Sequence, residues 1–416
     1  MDPALCSSTS LIQRIVDEDM CTACGLCQAI AGQDVIKVSL QNDGYIRPEV
    51  VGDLNQGTLD KISQICPGIN VSLDQRREPD ADCDTIWGQY HELVVAWAAQ
   101  PAVRHLASTG GALTGLAQYL VASEEVDFVL HVKASMSDPV GGEPHLSFTD
   151  ADVISAAGSR YAPVAPLLHL VDLLDKGQPF AVIGKPCDIS AINNYAKIDT
   201  RVDMLIRYRL TMVCGGYLTP SSLDGFLSRA GMPRNTLSSL RYRGHGCPGP
   251  VEITNQQGTT IQRSYNDFWG ETEDSWSIPF RCKICTDGIG EGADIAAADT
   301  WPNCQVDAAT EHLDPGSNAL IVRTSRGKEL LSRAIEHGFV ERGEDLTLED
   351  LNNFQLHQVV KKQAAQARIE GLKAAGGIGI RGGGTRQQAA SEQCSAEFYK
   401  QQKAGTMQRF LSGERD

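Results

Sequence analysis

The chain has 416 residues, 42% hydrophobic and 21% charged, a globular composition with material for a large core and more than one domain. Its net charge of −15 argues against wholesale binding to a phosphate backbone, leaving room only for a local basic groove. No apolar run is long enough to span a bilayer, and the acidic start MDPALCSSTSLIQRIVDEDM lacks the basic-then-apolar order of a secretory signal. A cytoplasmic chain with no membrane span and no nucleic-acid partner is expected.

Three regions follow in chain order. Residues 1–80 are turn-rich and carry cysteines, residues 81–325 alternate strand-like and helix-like runs, and residues 326–416 are polar and mostly helical. In the middle region LVVAWAA (93–99), DFVLHVKA (127–134), PFAVIG (179–184) and LTMVCGG (210–216) read as buried strands. GALTGLAQYLVAS (111–123), PVAPLLHLVDLLDKG (163–177), ISAINNYAK (189–197) and SSLDGFLSRAG (221–231) read as helices between and after them. This alternation predicts βα units, an α/β fold and a mostly parallel sheet. PVEITNQQGTTIQRSY (250–265) predicts an inserted hairpin about a polar, glycine-containing turn. VVKKQAAQARIEGLKAA (359–375) is a good helix former, and GGIGIRGGG (376–384) is expected to break it and to be flexible.

Thirteen cysteines are many for a cytoplasmic chain, where clustered thiols are more often metal ligands or catalytic groups than disulfides. MCTACGLCQAI sets Cys21, Cys24 and Cys27 at C-x-x-C-x-x-C spacing, close enough for three corners of one iron–sulfur cube. Gly25 lets that loop wrap tightly. The position where a bacterial ferredoxin has its last cysteine holds Ala31, and the nearest Cys-Pro is Cys66-Pro67, so Cys66 is expected as the fourth ligand of a 4Fe-4S cluster. A zinc knuckle would use the same four residues.

RCKICTDG supplies Cys282 and Cys285, a pair that serves equally as a metal half-site or a redox disulfide. Cys187 in GKPCD and Cys214 in VCGG each close a predicted strand, and strand ends on one edge of a parallel sheet converge. These four could hold a second cluster, with Cys247 in RYRGHGCPG as a rival for the fourth position. Each strand-end cysteine could equally be core packing. Cys6, Cys83, Cys304 and Cys394 are read as unliganded.

Two turns suit anionic ligands. Ser108, Thr109, Gly110 and Gly111 lie between a strand and a helix, where free amides bind phosphate, and the plain alternative is a helix cap. Ser159, Arg160 and Tyr161 form a second such loop, Arg160 facing phosphate and Tyr161 stacking. Lys185 offers a cation to a flavin's N1–C2=O edge, which would make it the residue that tunes the reaction. His105, His131 and His245 are acid–base candidates only because histidine titrates near neutrality.

Together these pieces resemble the coenzyme F420 hydrogenase/dehydrogenase beta-subunit family, which includes 7-hydroxymethyl chlorophyll a reductase. The resemblance runs from about residue 20 to about residue 340. Its carriers are CTACGLC, DGYIRPEV followed by ICPG, STGGALTGL, SRYAPV, GKPCDISA, VCGG, LRYRGHGCPG and RCKICTDGIGEGADIAAADTW. It implies FAD and two 4Fe-4S clusters: one in an N-terminal segment (1–80), the other in an FAD-binding α/β domain (81–325), followed by a helical C-terminal region with a flexible tail (326–416). It assigns Cys187, Cys214, Cys282 and Cys285 to the second cluster, while family members commonly carry an aromatic at the position of Cys247. It implies electrons passing from a ferredoxin-like donor or a partner redox subunit, through the clusters and FAD, to a small-molecule two-electron acceptor. A stand-alone reductase is the first reading, and a beta subunit of a larger hydrogenase or dehydrogenase complex using coenzyme F420 is the second. A zinc-stabilised binding protein is a third, and homo-oligomerisation is left open.

Overall fold

A computed structural model describes residues 8–73, 78–270, 277–304, 306 and 314–414. Cys6 lies outside the described residues. The organising element is one eight-stranded sheet. Its strands run, edge to edge, Val340–Asp345, Glu92–Ala98, Asn318–Val322, Ile295–Asp299, Ile206–Met212, Phe180–Gly184, Phe128–Ala134 and Gly142–Ser147. The four strands from Ile295–Asp299 to Phe128–Ala134 are mutually parallel, and the outer ones pair antiparallel. Parallel strands buried on both faces need continuous apolar runs, and Phe128, Val129, Leu130, Phe180, Ala181 and Val182 are all buried. The run 93–99 is a strand as expected, but it lies antiparallel to Asn318–Val322.

The expected helices form, with shifted ends. The helix at Ala112–Ala122 packs Leu116 and Leu120 against Val129 and Leu210, each such burial contributing about 1.5–3 kcal/mol. The run 163–177 is helical only over Leu170–Asp175, because Pro163 and Pro166 keep its first half out of the helix. The helix after the strand Phe180–Gly184 starts at Pro186, whose missing N–H suits the first turn, so Cys187 sits at a helix N-terminus and not on the strand. The strand carrying VCGG ends at Met212, leaving Cys214 on a loop. The hairpin of 250–265 forms with Ile253 opposite Ile261, and Leu237–Arg241 adds a third strand to it.

The N-terminal segment folds as short helices around a hairpin, Ile36–Leu40 against Ile46–Val50. It is tied to the rest through the Leu167 amide, which donates to the Cys24 carbonyl at 2.9 Å. The stretch 376–384, expected to be flexible, is instead docked: Arg381–Gly383 pairs in parallel with Asn70–Ser72. The Leu356–Ala374 helix packs against the Ala396–Ser412 helix and over the C-terminal edge of the parallel strands. Among the described residues no helix is long and apolar enough to cross a membrane.

Candidate functional site

The parallel strands Phe180–Gly184, Ile206–Met212 and Ile295–Asp299 all end at one edge, where open α/β sheets place ligands. A cavity of about 280 Å³ opens there, lined by Ser108, Thr109, Gly111, Ser159, Arg160, Tyr161, Lys185, Cys214, Tyr217, Arg243 and Asp299 among others. Gly110 is not on its wall.

Cys21, Cys24, Cys27 and Cys66 come together beside this edge. Every pair among the four thiols is close enough for each to oppose the other's ionisation. Burial pushes the Cys21 thiol up to about 12, against a hydrogen bond from the Ala23 amide at 3.4 Å. Burial also raises Cys24, Cys27 and Cys66, while backbone amides of Leu26, Gln28, Gly68 and Ile69 point at their sulfurs. Two glycines make the cradle possible. Gly25 has φ +87°, and a Cβ on Gly68 would lie 2.3 Å from the Met20 carbonyl and 3.3 Å from the Cys66 sulfur. A four-thiol set, Cys24 buried and the others half-buried, with amides aimed at the sulfurs, fits an iron–sulfur cluster. Among the described residues no three His, Cys, Asp or Glu side chains are arranged around a single metal ion.

Cys187, Cys214, Cys282 and Cys285 form a second group. Cys187 faces Cys214 and Cys282, and Cys214 and Cys282 face each other and Cys285. A helix N-terminus lowers a thiol's pKa, yet Cys187 is held well above its ordinary value because burial dominates. Burial likewise lifts Cys282 to about 12. Cys247 lies apart from this group, beside Arg243, Asp314 and Asp299. With His105 and His245, stacked at 5.9 Å, it lines a separate cavity of about 880 Å³.

Two residues join the groups. Arg281, buried and immediately before Cys282, donates Nε to the Gly68 carbonyl at 2.9 Å and Nη2 to the Pro67 carbonyl at 2.8 Å. Tyr217 lines the cavity and lies within electrostatic reach of Cys282, Cys21 and Cys187. Neither stands out in the sequence, although Arg281 adjoins a cysteine motif.

The cavity wall is charged and tightly partnered. Lys185 Nζ donates to Asp188 Oδ2 at 2.8 Å, and the same oxygen accepts the Lys185 amide at 3.0 Å. Burial opposes the ammonium, but Asp188 outweighs it and keeps Lys185 protonated. Arg160 donates Nη1 to the Leu240 carbonyl at 2.8 Å. Tyr161 packs edge-on to Trp269 at 4.9 Å. Ser159 donates to Ser108 at 3.0 Å, and Thr109 donates to Asp299 at 2.5 Å. The Ala112 amide at the helix start is taken by Asn318, which leaves fewer free amides in the STGG turn than its composition promises.

Arg243 was not singled out by sequence. It is buried, pairs with Asp299 at 3.2 Å, contacts Thr109, and lies over the Trp301 ring at 4.8 Å. Its Nε has no hydrogen-bond partner, nor has Asp188 Oδ1. An orphan donor and an orphan acceptor on one cavity wall fit a polar heterocycle that offers both, as a flavin ring does.

The N-terminal family model of the coenzyme F420 hydrogenase/dehydrogenase beta subunit matches residues 93–172, and the C-terminal model matches residues 177–345. The chain belongs to the coenzyme F420 hydrogenase/dehydrogenase beta-subunit family. Within this family it is similar to the F420-dependent formate dehydrogenase 1 subunit beta of Methanococcus maripaludis, 25% identical over 60% of this chain and 61% of that one. It is also similar to the coenzyme F420 hydrogenase subunit beta of Methanothermobacter thermautotrophicus, 21% identical over 62% of this chain and 85% of the relative. The match to an uncharacterized protein of Methanocaldococcus jannaschii spans 54% of that protein, so the first relatives are matched over less than two thirds of their length. A chain of the F420-reducing [NiFe] hydrogenase complex from Methanosarcina barkeri shares the fold, with a TM-score of 0.53 and 19% identity over 72% of this chain and 98% of that one. The family match ends at residue 345, before the helices that cover the site.

Proposed function

We propose that the chain is the electron-transfer beta subunit of an F420-type hydrogenase or dehydrogenase assembly, with FAD and two 4Fe-4S clusters. The names of the relatives, subunits of a formate dehydrogenase and a hydrogenase, favour this over a reductase working alone, which reverses the order the sequence suggested. The observation that carries the reading is the gathering of two cysteine quartets beside one cavity, whose wall includes Cys214 and Tyr217, the latter within electrostatic reach of Cys21, Cys187 and Cys282.

In this reading Cys21, Cys24, Cys27 and Cys66 hold one cluster, and Cys187, Cys214, Cys282 and Cys285 hold the other. The cavity takes the flavin. Clusters supply single-electron transfer and a flavin supplies two-electron transfer. The chain's own residues position and tune. Lys185 sets positive charge at the cavity wall and Asp188 fixes its place. Arg243 is braced by Asp299 and Thr109, which holds its guanidinium at the cavity wall at little ordering cost. Cys24 is buried and the other seven thiols are half-buried, which limits water at the thiolates. The partner is a redox subunit or a ferredoxin-like donor, and the acceptor is a small molecule of the deazaflavin class.

Anaerobic purification of the full chain, with iron, sulfide, zinc and flavin analysis and spectra before and after reduction, tests this. Two clusters' worth of iron and one flavin, with reversible bleaching by reduced F420, is the expected outcome. Zinc in place of iron, or no flavin, would end the reading. Gel filtration from the native source separates a subunit from a reductase acting alone.

A further inference from the structure

The Leu356–Ala374 helix lies outside the family models, yet it reaches the second quartet with four side chains. Gln358 Nε2 donates to the Cys214 carbonyl at 2.9 Å, and Lys361 Nζ to the Gly215 carbonyl at 3.1 Å. Lys362 Nζ donates to the Thr286 carbonyl at 3.2 Å, and Arg368 Nη1 to the Lys283 carbonyl at 2.5 Å. At 3.6 residues per turn these positions share one helix face. Their acceptors are the loops that carry Cys214, Cys282 and Cys285. The same loops are also joined directly, the Cys214 amide donating to Gly288 at 2.7 Å. Gly288 has no room for more: a Cβ there would lie 2.5 Å from Gln358 Oε1.

We propose that this helix is a clamp that fixes the Cys214 and Cys282–Cys285 loops, with Lys361 as the positioning residue that also places positive charge beside the second quartet. The inference rests on reading that quartet as a cluster site. Three features separate the clamp from ordinary packing. Each donor ends on the backbone carbonyl of a cysteine or of the residue after one, where a loop shift moves a sulfur directly. The neighbouring Lys362 is neutralised by buried Glu291, whereas Lys361 makes no ion pair among the described residues. Its charge is therefore left to the quartet. Finally, Gln355, just before the helix, donates to the Asp299 carbonyl at 2.9 Å, so the clamp also bears on the strand end that braces Arg243.

The test uses the full anaerobic protein and two readouts. A cation beside a cluster favours the reduced, more negative state, so Lys361→Met should lower the potential of the second cluster, read by redox titration with electron paramagnetic resonance. The N-terminal cluster in the same sample should not move. Lys361→Gln keeps a donor for Gly215 without the charge, so it should lower the potential as Lys361→Met does while holding iron better; it also serves if the methionine variant does not fold. Lys361→Arg should restore the potential. Gln358→Leu and Arg368→Leu should release iron to a chelator about tenfold faster, as loss of outer supports does at metal sites. An unmoved potential in both charge-deleting variants, or unchanged iron release in the other two, overturns the clamp while two clusters in the wild type keep the family reading intact. Wild-type protein without iron would overturn both together.

Discussion

Arg281 and Gly68 hold the two cysteine groups in register: the guanidinium beside Cys282 donates to the carbonyl two residues after Cys66 at 2.9 Å. A second bond from the same side chain reaches Pro67 at 2.8 Å. Arg281 thus ties the two proposed cluster sites directly, bridging more than 200 positions of chain. Replacing it with methionine keeps most of the volume and leaves two buried carbonyls unpaired. Arg281→Met should cost about 2–4 kcal/mol and lower the melting temperature by several degrees. Iron should fall in both clusters at once, by contrast with a ligand change that empties one. Calorimetry with iron analysis checks this, and a wild-type melting temperature would show that the bonds are dispensable.

The pair Lys185–Asp188 gives opposing expectations from its two members. Lys185→Met deletes the cation and leaves the Asp188 carboxylate without its counter-charge. A flavin in the cavity should then have a potential lower by some tens of millivolts, since about 30 mV corresponds to 1.4 kcal/mol for two electrons. Asp188→Asn leaves the cation unopposed, and the potential should rise. Cluster iron should stay in the lysine variant, because lysine is not a ligand. Redox titration of both variants is decisive: shifts of the same sign would mean that neither charge faces the flavin.

Cys214 and Cys247 were rivals by sequence, and the structure sets only Cys214 among the other three thiols. Cys214→Ser should remove about half the iron and Cys247→Ser almost none, since a hydroxyl is a poor iron ligand at neutral pH. The reverse pattern of iron content would exchange their roles.

What could be read from sequence was local. C-x-x-C-x-x-C and C-x-x-C are short motifs whose spacing is their geometry, and Phe128–Ala134 and Phe180–Gly184 are short segments with apolar, β-branched or aromatic starts that suit a buried strand. What could not be read depends on distant segments meeting. Arg243 is one of three charged or aromatic residues in a row, and nothing local shows that Asp299, 56 positions away, will pair with it. The glycines at 376–384 read as flexible because their partner, Asn70–Ser72, lies at the other end of the chain. Lys361 was legible as a helix residue, but its target at Gly215 was not, since helix propensity says nothing about which face finds which loop.

His131 gives a pH prediction. It lies in the cavity wall, its Nε2 2.7 Å from the Ser147 hydroxyl, and burial together with His145 depresses its pKa to about 4. The unfolded value is about 6.5. Between these values the unfolded chain binds a proton that the folded chain refuses, so stability is fully present above about pH 6.5 and is lost as pH falls toward the folded value. The gap is worth at most about 3 kcal/mol. His145 is also depressed, by burial and Lys133, and adds a smaller loss of the same sign, while Asp152 opposes both. His131→Gln keeps a polar partner for Ser147 and cannot titrate. Its melting temperature should therefore fall less steeply than the wild type's between pH 6.5 and 4.5, and the two curves should run parallel above pH 7. Equal slopes across the acid range would place the proton uptake elsewhere and leave His131 as a packing residue in the cavity wall.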